Sequence, residues 1–260
     1  MPKIKHYARK KTLSQYAINA LQRTNDLLNL GEYSPATIRS YLQELRYLFT
    51  YFNDVRPSHL TYEDTLSYLV YLNKTHGCSR VKSKMAANSF AFFFKQVQNK
   101  PYKIPSILFA AHSNKLPAVM QVQEMYDVIA ALKNIKHKTL ITLLYATGMR
   151  ISEIANLKIA DIDSKLMRIK IVSGKGKKDR FVPLSELVLT QLRLYYIQYR
   201  PVLYLFNGAG KGKRYATRTI QHVLQNTLVK IGLENKNYTV HTIRHSFATH
   251  LVCHRHPFGR

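Results

Sequence analysis

Apolar residues recur at helical spacing along the N-terminal part of the chain, and this pattern restricts that part to an α-helical fold. The clearest segment begins at Ser34-Pro35, where a serine suited to the N-cap precedes a proline suited to the first helical position. Its apolar residues follow in steps of three and one: Ile38, Tyr41, Leu42, Leu45, Leu48, Phe49 and Phe52. Residues at this spacing share one side of a helix, so the segment is predicted to be amphipathic with one buried face.

Three other segments in the first 100 residues carry helix-start signals, and two of them end at a glycine. They run from about Ser14 to Leu30, from Thr61 to just before Gly77, and from about Ser79 to Asn99. Four helices joined by short connections predict a small bundle, which we assign to residues 1–112.

The pattern changes after residue 100, where prolines interrupt it, and we place a linker at residues 113–120. The predicted helices beyond it are Val122–Lys133, His137–Tyr145, one from Ser185 to Pro201 and one from Thr217 to Gly232. The predicted strands are Leu166–Val172, Phe181–Leu184 and Tyr204–Phe206. The expected fold is therefore mainly α, with a helical N-terminal domain and an α+β second domain, residues 121–260, that holds a small β-sheet.

The charge of the chain predicts a polyanionic partner. The net charge is +26, and residues 1–112 contribute 16 basic and 6 acidic groups while residues 113–260 contribute 24 and 8. Because the excess covers both halves, we expect both domains to contact nucleic acid. No stretch reaches 18 apolar residues and none forms a signal-peptide core, so no membrane partner is expected. Two cysteines, Cys78 and Cys253, are too few for a disulfide framework and favour a cytoplasmic location.

Four basic residues stand where a phosphate site would need them. Arg150 follows a Thr-Gly pair at the mouth of a helix, where the dipole favours an anion, and Glu153 lies three residues on, where it can hold the guanidinium. Lys175 lies between two glycines at the tip of a predicted hairpin. His241 and Arg244 are one helical turn apart. Two arginines can stabilise a pentacovalent phosphate, while a lysine and a histidine can move protons.

These residues, in this order and spacing, resemble the tyrosine recombinases, the family of phage integrases and chromosome-resolution recombinases. The family motif Thr-Gly-x-Arg-x-x-Glu is matched by Thr147, Gly148, Arg150 and Glu153. The hairpin lysine within Gly-Lys-Gly is matched by Lys175 and is followed by the Val182-Pro183-Leu184 run. The motif His-x-x-Arg-His is matched by His241, Arg244 and His245. The resemblance is specific over residues 140–251 and weaker over residues 12–100.

The resemblance implies a helical core-binding (SAM-like) domain and a catalytic domain that close around duplex DNA as a C-shaped clamp. It also implies site-specific DNA breakage and rejoining through a 3′-phosphotyrosyl intermediate. Arg150 and Arg244 would stabilise the charge on phosphorus, Lys175 would protonate the leaving 5′-oxygen, His241 would assist proton transfer and Glu153 would support Arg150. We expect no metal, no other cofactor and no small-molecule substrate, because the phosphotyrosyl link stores the bond energy.

The family completes its site with a second histidine or tryptophan and then a nucleophilic tyrosine, both well beyond the His-x-x-Arg motif. The 16 residues that follow Arg244 contain no tyrosine, and the family pattern stops after Leu251. We therefore expect the nucleophile to be absent from this chain, as in a truncated or frame-changed gene. Tyr215 and Tyr238 could be offered as substitutes, but neither stands at the family position.

We expect the remaining DNA contacts to come from basic residues of both domains: Arg39, Lys82, Lys84, Lys177, Arg180, Lys213 and Arg214. Self-association on DNA is also expected. Two interpretations remain open. The chain is either a recombinase whose tyrosine lies outside these residues or comes from a partner subunit, or a non-catalytic DNA-binding protein that occupies recombination sites. A general RNA- or chromatin-packing protein would explain the charge but not the ordered motif residues.

Overall fold

The structure, a computed structural model, describes residues 12–109, 117–172, 179–210 and 212–253. The chain divides into two compact units, Met1–Ser113 and Asn114–Arg260. Each unit has its own hydrophobic core, and each is described by itself.

The first unit is a bundle of four α-helices whose starts are set by hydroxyl side chains. The helices are α1 (Gln15–Leu30), α2 (Pro35–Tyr51), α3 (Tyr62–His76) and α4 (Arg80–Phe92). The side chains of Ser14, Ser34, Thr61 and Ser79 each accept a hydrogen bond from a backbone N–H of the first turn. The four predicted helices are thus confirmed, with one difference. The segment predicted to run to Asn99 leaves α-helical geometry after Phe92 and continues as a π-helical turn, Phe93–Val97.

The core of this bundle contains the apolar face that the helical spacing predicts. Leu45, Leu48 and Phe49 of α2 are buried, and the Phe49 ring meets Phe93 edge-on with 5.2 Å between ring centroids. Ala86 of α4 is fully buried, and α4 packs against α2.

The second unit combines six α-helices and a small sheet in its described residues. They are α5 (Val122–Ala131), α6 (Ile135–Thr147), α7 (Ile151–Asn156), α8 (Glu186–Tyr199), α9 (Thr217–Lys230) and α10 (Val240–Val252). The strands β1 (Ile162–Asp163), β2 (Arg168–Ile171) and β3 (Arg180–Pro183) form an antiparallel sheet in the order β1-β2-β3. The predicted mainly α fold with a small β-sheet is confirmed.

The sheet also corrects the sequence prediction in two places. β1 was not predicted, because two residues are too few to show alternation. The predicted strand Tyr204–Phe206 was wrong, since Tyr204 makes only an isolated bridge to Lys158. The apolar character of this segment reflects burial instead, because Phe206 is 1% exposed and belongs to the core.

α6 lies at the centre of the second unit and ends where the motif residues begin. Residues 139–145 of this helix are all buried, which is typical of a helix packed on every side. It ends at Gly148, which adopts the left-handed conformation with φ +58°. A Cβ atom at this position would overlap the Phe247 ring of α10, so the glycine also permits close contact between the two segments.

None of the helices in the described ranges is both long enough and apolar enough to span a bilayer.

The first prediction concerns Gly148. Gly148→Ala should destabilise the second unit by about 3 kcal/mol, because a strained φ and an overlap with Phe247 act together. Gly232→Ala is the matched control, since Gly232 has φ +72° but no neighbour within 4 Å of the added methyl group, and it should cost only about 1 kcal/mol. Urea unfolding measures the loss of stability in each variant, and amide hydrogen exchange shows whether α6 and α10 are affected. Equal losses in the two variants would contradict the role given to Phe247.

Candidate functional site

The site is built on the turn between α6 and α7, where Arg150 and Glu153 hold each other. Arg150 is the N-cap of α7, and its backbone N–H donates to Glu153 Oε2 at 2.8 Å. Its guanidinium Nη1 donates to Glu153 Oε1 at 2.7 Å. Glu153 therefore caps the helix and orients the Arg150 side chain at once, as the spacing of the two residues predicts.

Arg180 completes this cluster from β3. Its Nη1 donates to Glu153 Oε1 at 2.9 Å and its Nη2 to Glu153 Oε2 at 2.7 Å, a bidentate ion pair. The sequence predicts Arg180 as a DNA contact and does not predict this pairing with Glu153. The missed signal was strand alternation: Arg180 lies opposite the buried Ile171 of β2, so it faces the interior side of the sheet.

The electrostatics of Glu153 follow from these contacts. The side chain is 7% exposed, and burial by itself raises the pKa of the carboxyl. Hydrogen bonds from Arg180 and Arg150 outweigh burial and lower the pKa to about 2. Glu153 is therefore ionised throughout the physiological pH range.

Arg244 reaches the same turn from α10. Thr239 caps this helix, and Arg244 lies in its second turn, from where its Nη1 donates to the carbonyl oxygen of Gly148. Burial lowers the pKa of the Arg244 guanidinium, and the nearby positive charge of Arg150 lowers it further. An arginine remains protonated at neutral pH in spite of such a shift, so a second guanidinium charge is kept close to the first.

Three guanidinium groups thus lie around one carboxylate, those of Arg150, Arg180 and Arg244 around Glu153. The excess of positive charge and the number of N–H donors suit an anion with several oxygens, such as a phosphodiester. Each of the three arginines is partly exposed, so an anion can reach them from solvent.

Of the two other predicted catalytic residues, His241 and Lys175, the structure describes His241. His241 is exposed in the first turn of α10, one turn before Arg244 and on the same side of the helix. Lys175 lies outside the described residues, as does the predicted DNA contact Lys177.

The two tyrosines weighed as substitute nucleophiles both have hydrogen-bond partners. The Tyr238 hydroxyl is buried and donates to Glu124 Oε2 at 2.9 Å, and burial, followed by that carboxylate, raises its pKa. The Tyr215 hydroxyl lies 2.9 Å from Nε2 of His137, and burial raises its pKa as well. A raised pKa makes the phenolate nucleophile less available, which favours a structural role for both side chains.

No group of three metal-ligating side chains occurs within the residues that the structure describes. His250 of α10 is buried, and its Nδ1 lies 2.6 Å from the Tyr145 hydroxyl.

The predicted DNA contacts of the first unit lie on α2 and α4, and two of them, Arg39 and Lys82, line one surface groove. Arg39 is exposed on α2 and Lys84 is exposed on α4. Lys82 also lines the groove, but its ammonium group donates to Glu44, a buried carboxylate whose pKa is raised by burial. Lys82 is thus paired within the bundle.

The predicted contacts Lys213 and Arg214 of the second unit lie on the loop that follows α8. Gly208 N–H donates to the Lys213 carbonyl at 2.7 Å, and Asn207 bridges to Arg214, so the loop closes on itself. Lys213 is exposed, and Arg214 Nη1 donates to Oδ1 of Asn156 at 2.7 Å. Because Asn156 ends α7, the loop is attached to the helix that Arg150 caps.

The sequence matches two family models. The model described as Phage integrase family matches residues 118–258, and the model described as Phage integrase, N-terminal SAM-like domain matches residues 20–104. Tyrosine recombinase XerD of Staphylococcus saprophyticus is 30% identical over 237 residues, which cover 84% of this chain and 79% of that protein.

Two solved structures resemble the fold. The integrase of transposon Tn1549 in complex with transposon right end DNA gives a TM-score of 0.69 at 16% identity, covering 90% of this chain and 87% of that chain. A lambda integrase dimer bound to a COC′ core site gives a TM-score of 0.65 at 13% identity, covering 89% and 68%. At these identities the likeness establishes the fold.

The second prediction concerns Glu153. Glu153→Gln should lower the free energy of unfolding of the second unit by about 2 kcal/mol at neutral pH, because two guanidiniums lose their counter-charge. The lowered pKa means that this stabilisation is fully present above the ordinary carboxyl pKa near 4.5 and is lost as the pH falls from there towards 2. Urea unfolding between pH 7 and pH 2.5 should therefore show the gap between wild type and variant closing in acid.

The control for this measurement is Glu186→Gln, which removes an exposed acid from the first turn of α8. It should stay within about 0.5 kcal/mol of wild type, because surface charges contribute little. A gap for Glu153→Gln that persists unchanged to pH 2.5 would argue against the ion-pair origin of its stability.

Proposed function

The chain belongs to the phage integrase family of tyrosine recombinases, and from this premise we propose that it binds duplex DNA and is organised for site-specific strand breakage and rejoining. The observation that carries the proposal is that Arg150 and Arg180 bind the Glu153 carboxylate while Arg244 donates to the adjoining turn at Gly148. A cluster of this charge, open to solvent, is suited to one phosphate of a DNA strand.

In the proposed reaction a tyrosine oxygen attacks the scissile phosphorus, and the bond from phosphorus to the 5′-oxygen breaks. Arg150 and Arg244 stabilise the additional negative charge on the non-bridging oxygens, because guanidinium donors strengthen as that charge develops. Lys175 supplies the proton that the leaving 5′-oxygen takes up, and His241 assists proton transfer. The 3′-phosphotyrosyl link conserves the bond energy for rejoining, so the chemistry requires no nucleotide cofactor.

We propose that both units contribute to DNA binding. The exposed Arg39 and Lys84 of the first unit and Lys213 of the second support this, as does the positive excess on both halves of the chain. Self-association on DNA is part of the proposal, and the likeness to a lambda integrase dimer bound to a core site supports it. A cytoplasmic location agrees with a DNA partner and with the free thiols of Cys78 and Cys253.

A second candidate function is non-catalytic occupation of recombination sites. The observation that favours it is that Tyr215 and Tyr238, the two tyrosines weighed as nucleophiles, are both hydrogen-bonded and have raised pKa values. In this alternative the arginine cluster still binds phosphate, but the strand is not cut.

The third prediction is that the 260-residue chain binds duplex DNA with a steep salt dependence. Each neutralised phosphate releases counterions, so the slope of log affinity against log salt should be near −0.9 per contact. Arg39→Gln and Lys84→Gln should each reduce the magnitude of this slope by about 1. Fluorescence anisotropy of a labelled duplex at several salt concentrations measures the slope.

The matched control is Arg23→Gln, which removes an exposed charge of α1 that lines a separate groove with Tyr16 and Ser58. Its slope should equal that of wild type. A response to salt that is flat, or tighter binding of single strands than of duplex, would count against the proposed function.

The fourth prediction is that this chain forms no covalent adduct with DNA. Arginines and proton donors lower the barrier only when a nucleophile is positioned in line with the leaving oxygen. A nicked suicide substrate traps any phosphotyrosyl product, and gel mobility detects it. A version of the chain extended by a family C-terminal segment with its histidine and tyrosine should form the adduct, and Arg244→Gln should abolish it there.

An adduct formed by the 260-residue chain and removed by Tyr215→Phe or Tyr238→Phe would overturn this fourth prediction and identify another nucleophile.

A further inference from the structure

Glu153 holds two guanidinium groups in unequal ways. Arg180 directs both of its terminal nitrogens to the carboxylate, at 2.9 and 2.7 Å, and so uses its whole fork there. Arg150 gives the same carboxylate one guanidinium N–H, at 2.7 Å, and among the described residues this guanidinium has no other acceptor. Most of the Arg150 donors therefore remain for a ligand.

The charges explain why the second guanidinium matters. A lone Arg150–Glu153 pair would be neutral, and a guanidinium facing a lone carboxylate favours the bidentate geometry that uses two of its N–H groups. Arg180 occupies that geometry in place of Arg150 and supplies the charge that balances Glu153. The positive charge of Arg150 is then left for an anion.

We propose that Arg180 is a positioning residue of the phosphate site, which pairs with Glu153 so that Arg150 keeps both its orientation and its charge for a DNA phosphate. The inference rests on the proposed function, since it takes the ligand to be a phosphodiester. It differs from the sequence-based expectation that Arg180 itself contacts DNA.

The two roles of Arg180 predict different behaviour in a double variant. If Arg180 acts through Glu153, Arg180→Gln leaves an unbalanced carboxylate that draws Arg150 away from phosphate, and adding Glu153→Gln removes that competitor. The double variant should then regain phosphate binding. If Arg180 contacts phosphate directly, or has only a structural role, the second substitution cannot restore binding.

Inorganic phosphate is the probe, titrated into the full 260-residue chain against chloride at equal ionic strength. The signals of the arginine side-chain Nε–H groups, assigned by substitution, report the dissociation constant at Arg150 and Arg244. Arg180→Gln should weaken phosphate binding about 10-fold, and the double variant should return to within about 3-fold of wild type. The backbone amide spectrum of each variant verifies its fold.

Arg168→Gln is the matched control, because Arg168 lies on the neighbouring strand of the same sheet, pairs with Asp163 and stacks on Phe181, 4.2 Å from the ring centroid. It should leave phosphate binding unchanged.

Unchanged binding in Arg180→Gln, or equal losses in the single and double variants, would overturn the inference. So would an absence of any phosphate-dependent shift at Arg150 in the wild-type chain. Duplex binding measured in parallel separates this inference from the proposed function. If duplex binding is salt-sensitive but phosphate binding does not change as expected in the Arg180 variants, only the role of Arg180 is contradicted. If phosphate binding changes as expected but the chain does not bind duplex, only the proposed function is contradicted.

Discussion

The carboxylate of Glu153 is the interaction on which the candidate site depends. It accepts the backbone N–H that starts α7, one N–H of the Arg150 guanidinium and the fork of Arg180 from β3. A helix start, a sheet edge and the principal candidate phosphate ligand are thereby held by one buried charge. Such a group is costly to bury unless it is fully hydrogen-bonded, and here the basic side chains that satisfy it are themselves part of the anion site.

Local chemistry allowed much of the fold to be predicted from the sequence. The starts of α1 to α4 follow from Ser14, Ser34, Thr61 and Ser79, because an N-cap hydroxyl acts within three residues of its own position. The pairing of Arg150 with Glu153 is of the same local kind. Gly148 was identified through the motif, and its left-handed φ and its contact with Phe247 supply the physical reason.

The features that sequence reasoning missed depend on contacts between distant residues. In the sequence, Arg180 is one of several basic residues in a predicted hairpin. The register of β2 and β3 shows that it lies opposite buried Ile171. Tyr204–Phe206 has the composition of a strand, but a strand requires a partner along its length, and the described residues pair with this segment only through an isolated bridge and single hydrogen bonds. The convergence of Arg244 on Gly148 joins residues 96 positions apart, which no local pattern encodes.

Buried acidic residues follow a common arrangement that bears on DNA binding. The chain has 14 acidic residues against 40 basic ones, and three of the acids, Glu44, Glu124 and Glu153, have side chains that are no more than 11% exposed and lie beside basic groups from other elements. Lys82 contacts Glu44, Lys236 contacts Glu124, and two arginines contact Glu153. Each pair stabilises a junction within a unit, and each removes a negative charge from the surface. Each paired acid cancels one basic charge, so the net charge of +26 is carried by the remaining basic side chains, and this excess favours attraction of DNA from a distance and rapid association.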